Sequence, residues 1–227
     1  MASGFALLLP GGGSSRRFGT GKNKLLEDLA GMPVFLHAIR TLAPLFDEIL
    51  MAVPEKSMAD FETLAKKYLP EVKIRFLPGG ATRADSVQIL AGAVEHAEYI
   101  AIHDAARPLI RKEDVEKCMD ACRKNGSAML CRKVTDTLKE SMDGVVIHRT
   151  VSRELLWAAE TPQMFRRSAY LDALSRRDAA FNYTDDAQMM ERCSSPACRI
   201  AIVESSYPDP KITTTADLLL CEALLKL

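Results

Sequence analysis

The chain has no surplus of charge. Its 30 Lys and Arg are balanced by 30 Asp and Glu over 227 residues. Proteins that hold nucleic acid by bulk charge carry a basic excess, so no nucleic-acid partner is expected, although a local cationic pocket remains open to it. Long apolar runs are also missing. No stretch approaches the roughly 20 residues needed to span a bilayer, and residues 1–4 lack the basic segment that opens a secretory leader. A cytoplasmic protein with no membrane partner is the expectation. None of the six cysteines forms C-x-x-C, and the four histidines form no metal-ligand cluster. Cys118 and Cys122 stand one helical turn apart without histidine partners, which suits helix packing and reduced thiols better than a metal. There is no internal repeat, low-complexity tract or linker, so residues 1–227 read as a single domain, a size at which one core can be well buried.

What is present begins at the first strand. Residues 5–9 form a short apolar run ended by Pro10-Gly11, the sign of a buried strand. Gly11, Gly12 and Gly13 strip side chains from the loop, letting backbone N–H groups approach a ligand. Arg16, Arg17, Lys22 and Lys24 follow before residue 25. Backbone donors beside fixed cations suit a polyphosphate; the plainer alternative is a solvated surface turn. The loop is not a Walker A motif, because Asn23 follows Gly21-Lys22 and Arg16 stands where its first glycine should be. Nor is it a dinucleotide fingerprint, because Arg16 also occupies the third glycine position.

Further on, short apolar runs at residues 49–53, 72–77, 99–103 and 127–134 alternate with helical patterns. These patterns open at Pro33, a good first-turn residue, and then cover 56–68, 82–97 and 112–124. Such alternation predicts an α/β fold, a mostly parallel sheet flanked by helices. Loops after strands should then share one ligand-binding edge. Those loops hold Pro10, Gly79-Gly80 and Asp104. The alternation breaks at residues 135–157, where β-prone runs flank Asp143-Gly144, a strong hairpin signal. This arm either pairs with a second subunit or folds back on its own domain. Helices after Arg166 and Asp185, a strand at 199–203 and a helix at 216–225 complete the chain.

Asp104 beside phosphates is a natural Mg²⁺ anchor, or else a loop cap. Arg107 can pair with it or bind an anion with its fork. Ser86 lies in a first helical turn, where free N–H groups favour anions, while Thr82 reads as the cap. Lys211 could supply a further phosphate contact, and Trp157 reads as core.

Taken in order, these stretches resemble the 2-C-methyl-D-erythritol 4-phosphate cytidylyltransferases of the non-mevalonate isoprenoid pathway. The motifs are Pro10-Gly11-Gly12-Gly13 with Arg17 and Lys24, Gly79-Gly80 with residues 83–87, and residues 103–108. They continue with residues 136–139, Thr150-Val151-x-Arg153 with Trp157, Thr161-Pro162-Gln163-x-Phe165, Thr184-Asp185-Asp186 and Lys211-Ile212-Thr213. The resemblance covers nearly the whole chain. It implies a Rossmann-like nucleotidyltransferase fold with a protruding β-arm at 135–157 that makes a homodimer. It also implies transfer of CMP from CTP to the sugar-alcohol phosphate with Mg²⁺, releasing pyrophosphate.

By the same resemblance Arg17, Lys24, Arg153 and Lys211 are catalytic. Pro10, Gly11, Gly12, Gly13, Gly79, Gly80, Ser86 and Ala105 bind CTP. Asp104, Arg107, Thr137, Arg153, Thr161 and Thr184 bind the acceptor, with Thr137 and Arg107 reaching in from the partner. Asp104 and Asp209 take the metal. The chain departs from the family pattern at Ser15 for a glycine, at Asn23-Lys24-Leu25 (with Lys22 a possible substitute lysine), at Ala81 for an acidic residue, and at Asp209 for Asn. Two alternatives stand beside this reading: a sister enzyme acting on ribitol 5-phosphate, against which Ala105-Ala106 leans, and a non-catalytic nucleotide-binding homologue.

Overall fold

The computed structural model describes residues 4–12, 23–178, 180–194 and 198–227. The first run, β1 (Phe5–Pro10), is buried along five of its six residues because it lies at the middle of a sheet covered on both faces. Alternate side chains point to opposite layers, as the strand repeat requires. Phe5, Leu7 and Leu9 pack with α1 (Val34–Leu42), α2 (Met58–Tyr68) and α4 (Lys112–Asn125). Ala6 and Leu8 pack with α3 (Arg83–Ala93), α5 (Arg167–Ser175) and α6 (Asp186–Cys193).

Among the described residues the main sheet has seven strands. Its order is β11 (Ala201–Glu204), β7 (Ser127–Lys133), β10 (Trp157–Arg166), β6 (Tyr99–Ile102), β1, β4 (Glu48–Val53) and β5 (Arg75–Pro78). The α/β class, the mostly parallel sheet and its flanking helices are as expected. Two short hairpins stand apart from it, β2 (Asp28–Leu29) with β3 (Met32–Pro33), and β8 (Leu138–Glu140) with β9 (Arg149–Val151). The last helix is α7 (Thr215–Leu224).

The largest difference from expectation is β10, which the strand–helix alternation does not foresee. It runs antiparallel between β6 and β7, and its register shifts between Ala159 and Gln163. Pro162 sits inside that shift, where a missing N–H costs no ladder bond. The proline masks the strand in the sequence. The expected helix at 82–97 stops at Ala93, with Val94 already extended. Thr82 caps it as expected: its hydroxyl accepts the Asp85 N–H at 3.1 Å, while Asp85 Oδ2 accepts the Thr82 N–H at 3.1 Å. The long strands expected on either side of Asp143 shrink to three residues each, because Asp143 Oδ1 takes the N–H groups of Val145 and Val146 at 2.8 and 2.9 Å. A local turn has won over the ladder. Trp157, expected in the core, is half-buried at the start of β10 against Met129, Cys131 and Ala187, with Lys133 Nζ 5.6 Å from its ring centre.

Candidate active site

The sheet order turns back at β1, which has β4 on one side and β6 on the other. Ligands of open α/β sheets sit at the carboxyl ends of the strands around such a reversal. Here the loops after β1 and β5 touch through glycines. A Cβ on Gly12 would lie 3.1 Å from Ser86 Oγ and 3.6 Å from Gly79 Cα, and one on Gly79 would lie 3.2 Å from Gly12 Cα. Side chains there would wedge the two loops apart. Strand carbonyls fix both turns, with Gly11 N–H on Ala52 at 2.7 Å and Gly79 N–H on Val53 at 2.8 Å. Ser86 Oγ accepts the Gly80 N–H at 3.1 Å and donates to the Thr82 carbonyl at 3.0 Å. Its hydroxyl proton is therefore spent on the Thr82 carbonyl, while its oxygen holds the glycine turn.

Asp104, just beyond β6, lies within a ring of cations. Lys211 Nζ is 2.7 Å from Oδ2, Arg83 Nε is 3.2 Å from Oδ1 and Arg107 Nε is 3.9 Å from Oδ2. Burial opposes ionisation of this carboxyl, but Arg83, Lys211 and Arg107 outweigh it and hold the pKa well below the usual range. Lys24 joins the same region from the other end of the chain, donating to the Ile212 carbonyl at 2.6 Å. Two lysines from opposite ends of the sequence, Lys24 and Lys211, are thus tied into one segment.

The loop that carries Asp104 is braced from beneath. The Asp104 N–H donates to Thr161 Oγ1 at 3.2 Å, and Thr161 Oγ1 lies 3.0 Å from His103 Nδ1. His103 Nε2 is 3.2 Å from the Arg107 carbonyl, which can only accept, so Nε2 carries the proton. Nδ1 is then the acceptor and takes the Thr161 hydroxyl proton. The chain of donors runs in one direction, from Asp104 through Thr161 to His103. Burial pushes the His103 pKa down to about 4, keeping the ring neutral.

Asp209 lies beside this cluster. Its Oδ1 accepts the Leu109 N–H at 2.8 Å, its backbone carbonyl accepts from Arg107 at 2.6 Å, and its buried Oδ2 has no partner. Burial raises its pKa to about 7. Arg107, Arg132, Glu160, Asp209 and Lys211 line an open cleft of about 850 Å³.

Of the expected site residues, Pro10, Gly11, Gly12, Lys24, Gly79, Gly80, Ser86, Asp104, Ala105, Arg107, Thr161, Asp209 and Lys211 belong to these converging loops or the elements bracing them. Gly13, Arg17 and Lys22 lie outside the described residues. Arg107 is packed against its own chain's Asp104 and Asp209 rather than held out toward a partner. Thr184 turns its N–H and Oγ1 to Gln188 Oε1 at 2.9 and 3.3 Å. Thr137 and Arg153 lie on the arm segment, where the Arg153 guanidinium donates to the Thr135 carbonyl. Sequence reasoning did not single out Arg83 as a site residue. In the sequence it stands only as the first residue of the 83–87 motif, with no role attached, and its partner Asp186 lies 103 positions away.

Close-packed glycine loops and a cation cluster at the carboxyl ends of one mostly parallel sheet fit a single class, a Rossmann-like α/β nucleotidyltransferase. Comparison with known proteins gives the particular family. Residues 5–227 match the family model for IspD, 2-C-methyl-D-erythritol 4-phosphate cytidylyltransferase, and the chain belongs to that family. A protein of that name from Bacillus mycoides (strain KBAB4) is 36% identical over 224 residues, covering 97% of both chains. The crystal structure of a 2-C-methyl-D-erythritol 4-phosphate cytidylyltransferase from Thermus thermophilus superposes with a TM-score of 0.80 at 27% identity, covering 98% of both chains. A 4-diphosphocytidyl-2C-methyl-D-erythritol synthase from Anaerococcus prevotii shares the fold, with a TM-score of 0.83 at 24% identity and 98% coverage of both chains.

Proposed function

We propose that this protein transfers CMP from CTP to 2-C-methyl-D-erythritol 4-phosphate, forming 4-diphosphocytidyl-2-C-methyl-D-erythritol and pyrophosphate in isoprenoid precursor synthesis. The observation that carries the reading is the ring of Lys211, Arg83 and Arg107 around the buried Asp104, on the same strand-end edge as the Gly12–Gly79 contact. The attacking group is a phosphate oxygen, already ionised at neutral pH, so no general base is needed. The barrier is the approach of two anions and the charge that builds at the α-phosphorus, which fixed cations lower by positioning and electrostatics.

In this reading Pro10, Gly11, Gly12, Gly13, Gly79, Gly80, Ser86 and Ala105 form the CTP side. Arg17, Lys24 and Lys211 hold the phosphates. Asp104, Arg107, Thr161, Arg153 and Thr184 form the acceptor side. Thr161 would meet the acceptor through its remaining lone pair, since its proton serves His103.

The residues present fit Mg²⁺ in a limited way. Among the described residues there is no group of three or more His, Cys, Asp or Glu placed to hold a metal. An ion would therefore take most ligands from the triphosphate and water, which is how Mg²⁺ ordinarily binds at such sites. Asp104 would anchor it, and the unpartnered Oδ2 of Asp209 is an oxygen donor of the right kind. When bound, Mg²⁺ would supply Lewis-acid charge to the phosphates.

The arm is assigned to a homodimer. Met142, Val145, Val146, Ile147 and Leu155 are between 60 and 89% exposed on or beside it, an apolar surface that a second copy would cover. Thr137 would then reach a partner's site. All six cysteines are free and no described helix is long and apolar enough to cross a membrane, and we place the enzyme in the cytoplasm.

The test is pyrophosphate release with CTP and Mg²⁺, comparing methylerythritol phosphate with ribitol 5-phosphate, with EDTA as the metal control. Preference for the first is expected, with loss of turnover in EDTA. Preference for ribitol 5-phosphate would overturn the substrate, and release with neither would overturn the activity.

A further inference from the structure

We propose that Arg83 is a positioning residue for this reaction, locking Asp104 and the Thr184 segment into one rigid acceptor wall; the inference rests on the cytidylyltransferase reading above. Arg83 opens α3 immediately after the glycine turn, and its guanidinium points two ways. Nε donates to Asp104 Oδ1 at 3.2 Å, and the Nη1 end donates to Asp186 Oδ2 at 2.6 Å. Asp186, buried on the first turn of α6, uses its other oxygen to accept from the Tyr170 hydroxyl at 2.7 Å. A continuous line of contacts therefore runs from α5 through α6 and α3 to the carboxylate beside the cations.

The neighbouring residue Asp185 ties α6 on its other side. Its Oδ1 accepts the Gln188 N–H at 2.8 Å and its Oδ2 accepts from Gln163 Nε2 at 2.9 Å, on the same strand as Thr161. Deeper in, α3 and α6 share an apolar cluster, but near their N-terminal ends packing is incomplete. A cavity of about 130 Å³ lies there, lined by Arg83, Leu174, Tyr183, Thr184 and Met189. Where side chains leave space, alignment falls to directed polar contacts.

Charge alone does not require Arg83. Lys211 and Arg107 already place positive charge on Asp104. What Arg83 adds is direction, because a planar fork satisfies two carboxylates at once and an ammonium group is a single point charge. Arg83→Lys therefore keeps the charge and loses the bridge.

The experiment measures initial rates of pyrophosphate release while CTP and the acceptor phosphate are varied separately, for wild type, Arg83→Lys, Tyr170→Phe and the double variant. Melting temperature is recorded for each. Arg83→Lys should melt within ~4 °C of wild type. Its kcat/KM for the acceptor should fall roughly ten- to a hundredfold, the scale of a small misplacement of reacting groups, while KM for CTP stays unchanged. Tyr170→Phe should move the same acceptor parameter by less, and the double variant should fall short of the product of the two, as members of one network do.

Wild-type kinetics in Arg83→Lys, an equal rise in both KM values, or a lowered melting temperature with unaltered kinetics would each overturn the inference. If Arg83→Lys fails to fold, Tyr170→Phe decides alone, since it removes only one hydroxyl; an unmoved acceptor parameter then overturns it. A wild-type protein that releases no pyrophosphate would overturn the proposed function and this inference with it. An active wild type with indifferent variants overturns the inference alone.

Discussion

Acid should weaken this fold through His103 before the bulk of its carboxylates are protonated. The imidazole is fully buried, held neutral between the Thr161 hydroxyl and the Arg107 carbonyl, and burial lowers its pKa to about 4 from 6.5. Between those values the unfolded chain binds a proton that the folded chain refuses, so stability rises with pH across the window. The contribution is complete above about pH 6.5 and is lost as the pH falls toward 4. Taking ~1.4 kcal/mol per pKa unit, the loss between pH 7 and pH 5 is about 2 kcal/mol. Urea denaturation followed by the emission of Trp157, the one tryptophan, gives the quantity directly at each pH. His103→Gln does not titrate, and its own stability sets the baseline. The buried His37, whose pKa burial also lowers, is present in both proteins and cancels. Wild type should lose about 2 kcal/mol more than the variant over that range. Equal losses would refute the assignment of His103 as a buried neutral ring that braces the Asp104 loop.

Three other outcomes are expected. Lys24→Ala should lower kcat by roughly a hundredfold, the scale of losing an oxyanion donor, and a near-normal kcat in the pyrophosphate assay would remove Lys24 from the phosphate-binding role. Gly80→Ala would drive a Cβ into Asp85 Cβ and to 2.9 Å from the Asp85 carbonyl carbon, which is backbone and cannot step aside. It should cost about 1–3 kcal/mol in urea denaturation and raise KM for CTP. Val145→Asp on the arm should shift sedimentation from dimer toward monomer with the melting of the main domain unchanged; wild-type protein that sediments as a monomer at assay concentrations would end the dimer proposal.

Local signals carried much of this protein. The apolar run of β1, the glycines after it, the Gly79-Gly80 turn, the Thr82 cap and the order of strands and helices are short-range features, and each is legible where it occurs. The same holds for Asp104 as a carboxylate closing a strand toward the ligand edge. Tertiary structure decided the rest, because the deciding contacts join distant parts of the chain. Strand β10 was hidden by Pro162, since a proline reads as a break unless the register shift that tolerates it is known. Ser86 and Thr161 could be marked as polar residues near a site, but only the folded loops show that their protons go to Thr82 and His103. Arg83 opens the 83–87 motif, which by itself gives the side chain no role. Its role depends on Asp104, 21 positions away, and Asp186, 103 positions away, arriving on either side of one guanidinium. Sequence determined most of the elements and the loops that follow the parallel strands; the packing of those elements placed β10 between β6 and β7 and determined which charges meet at the strand ends.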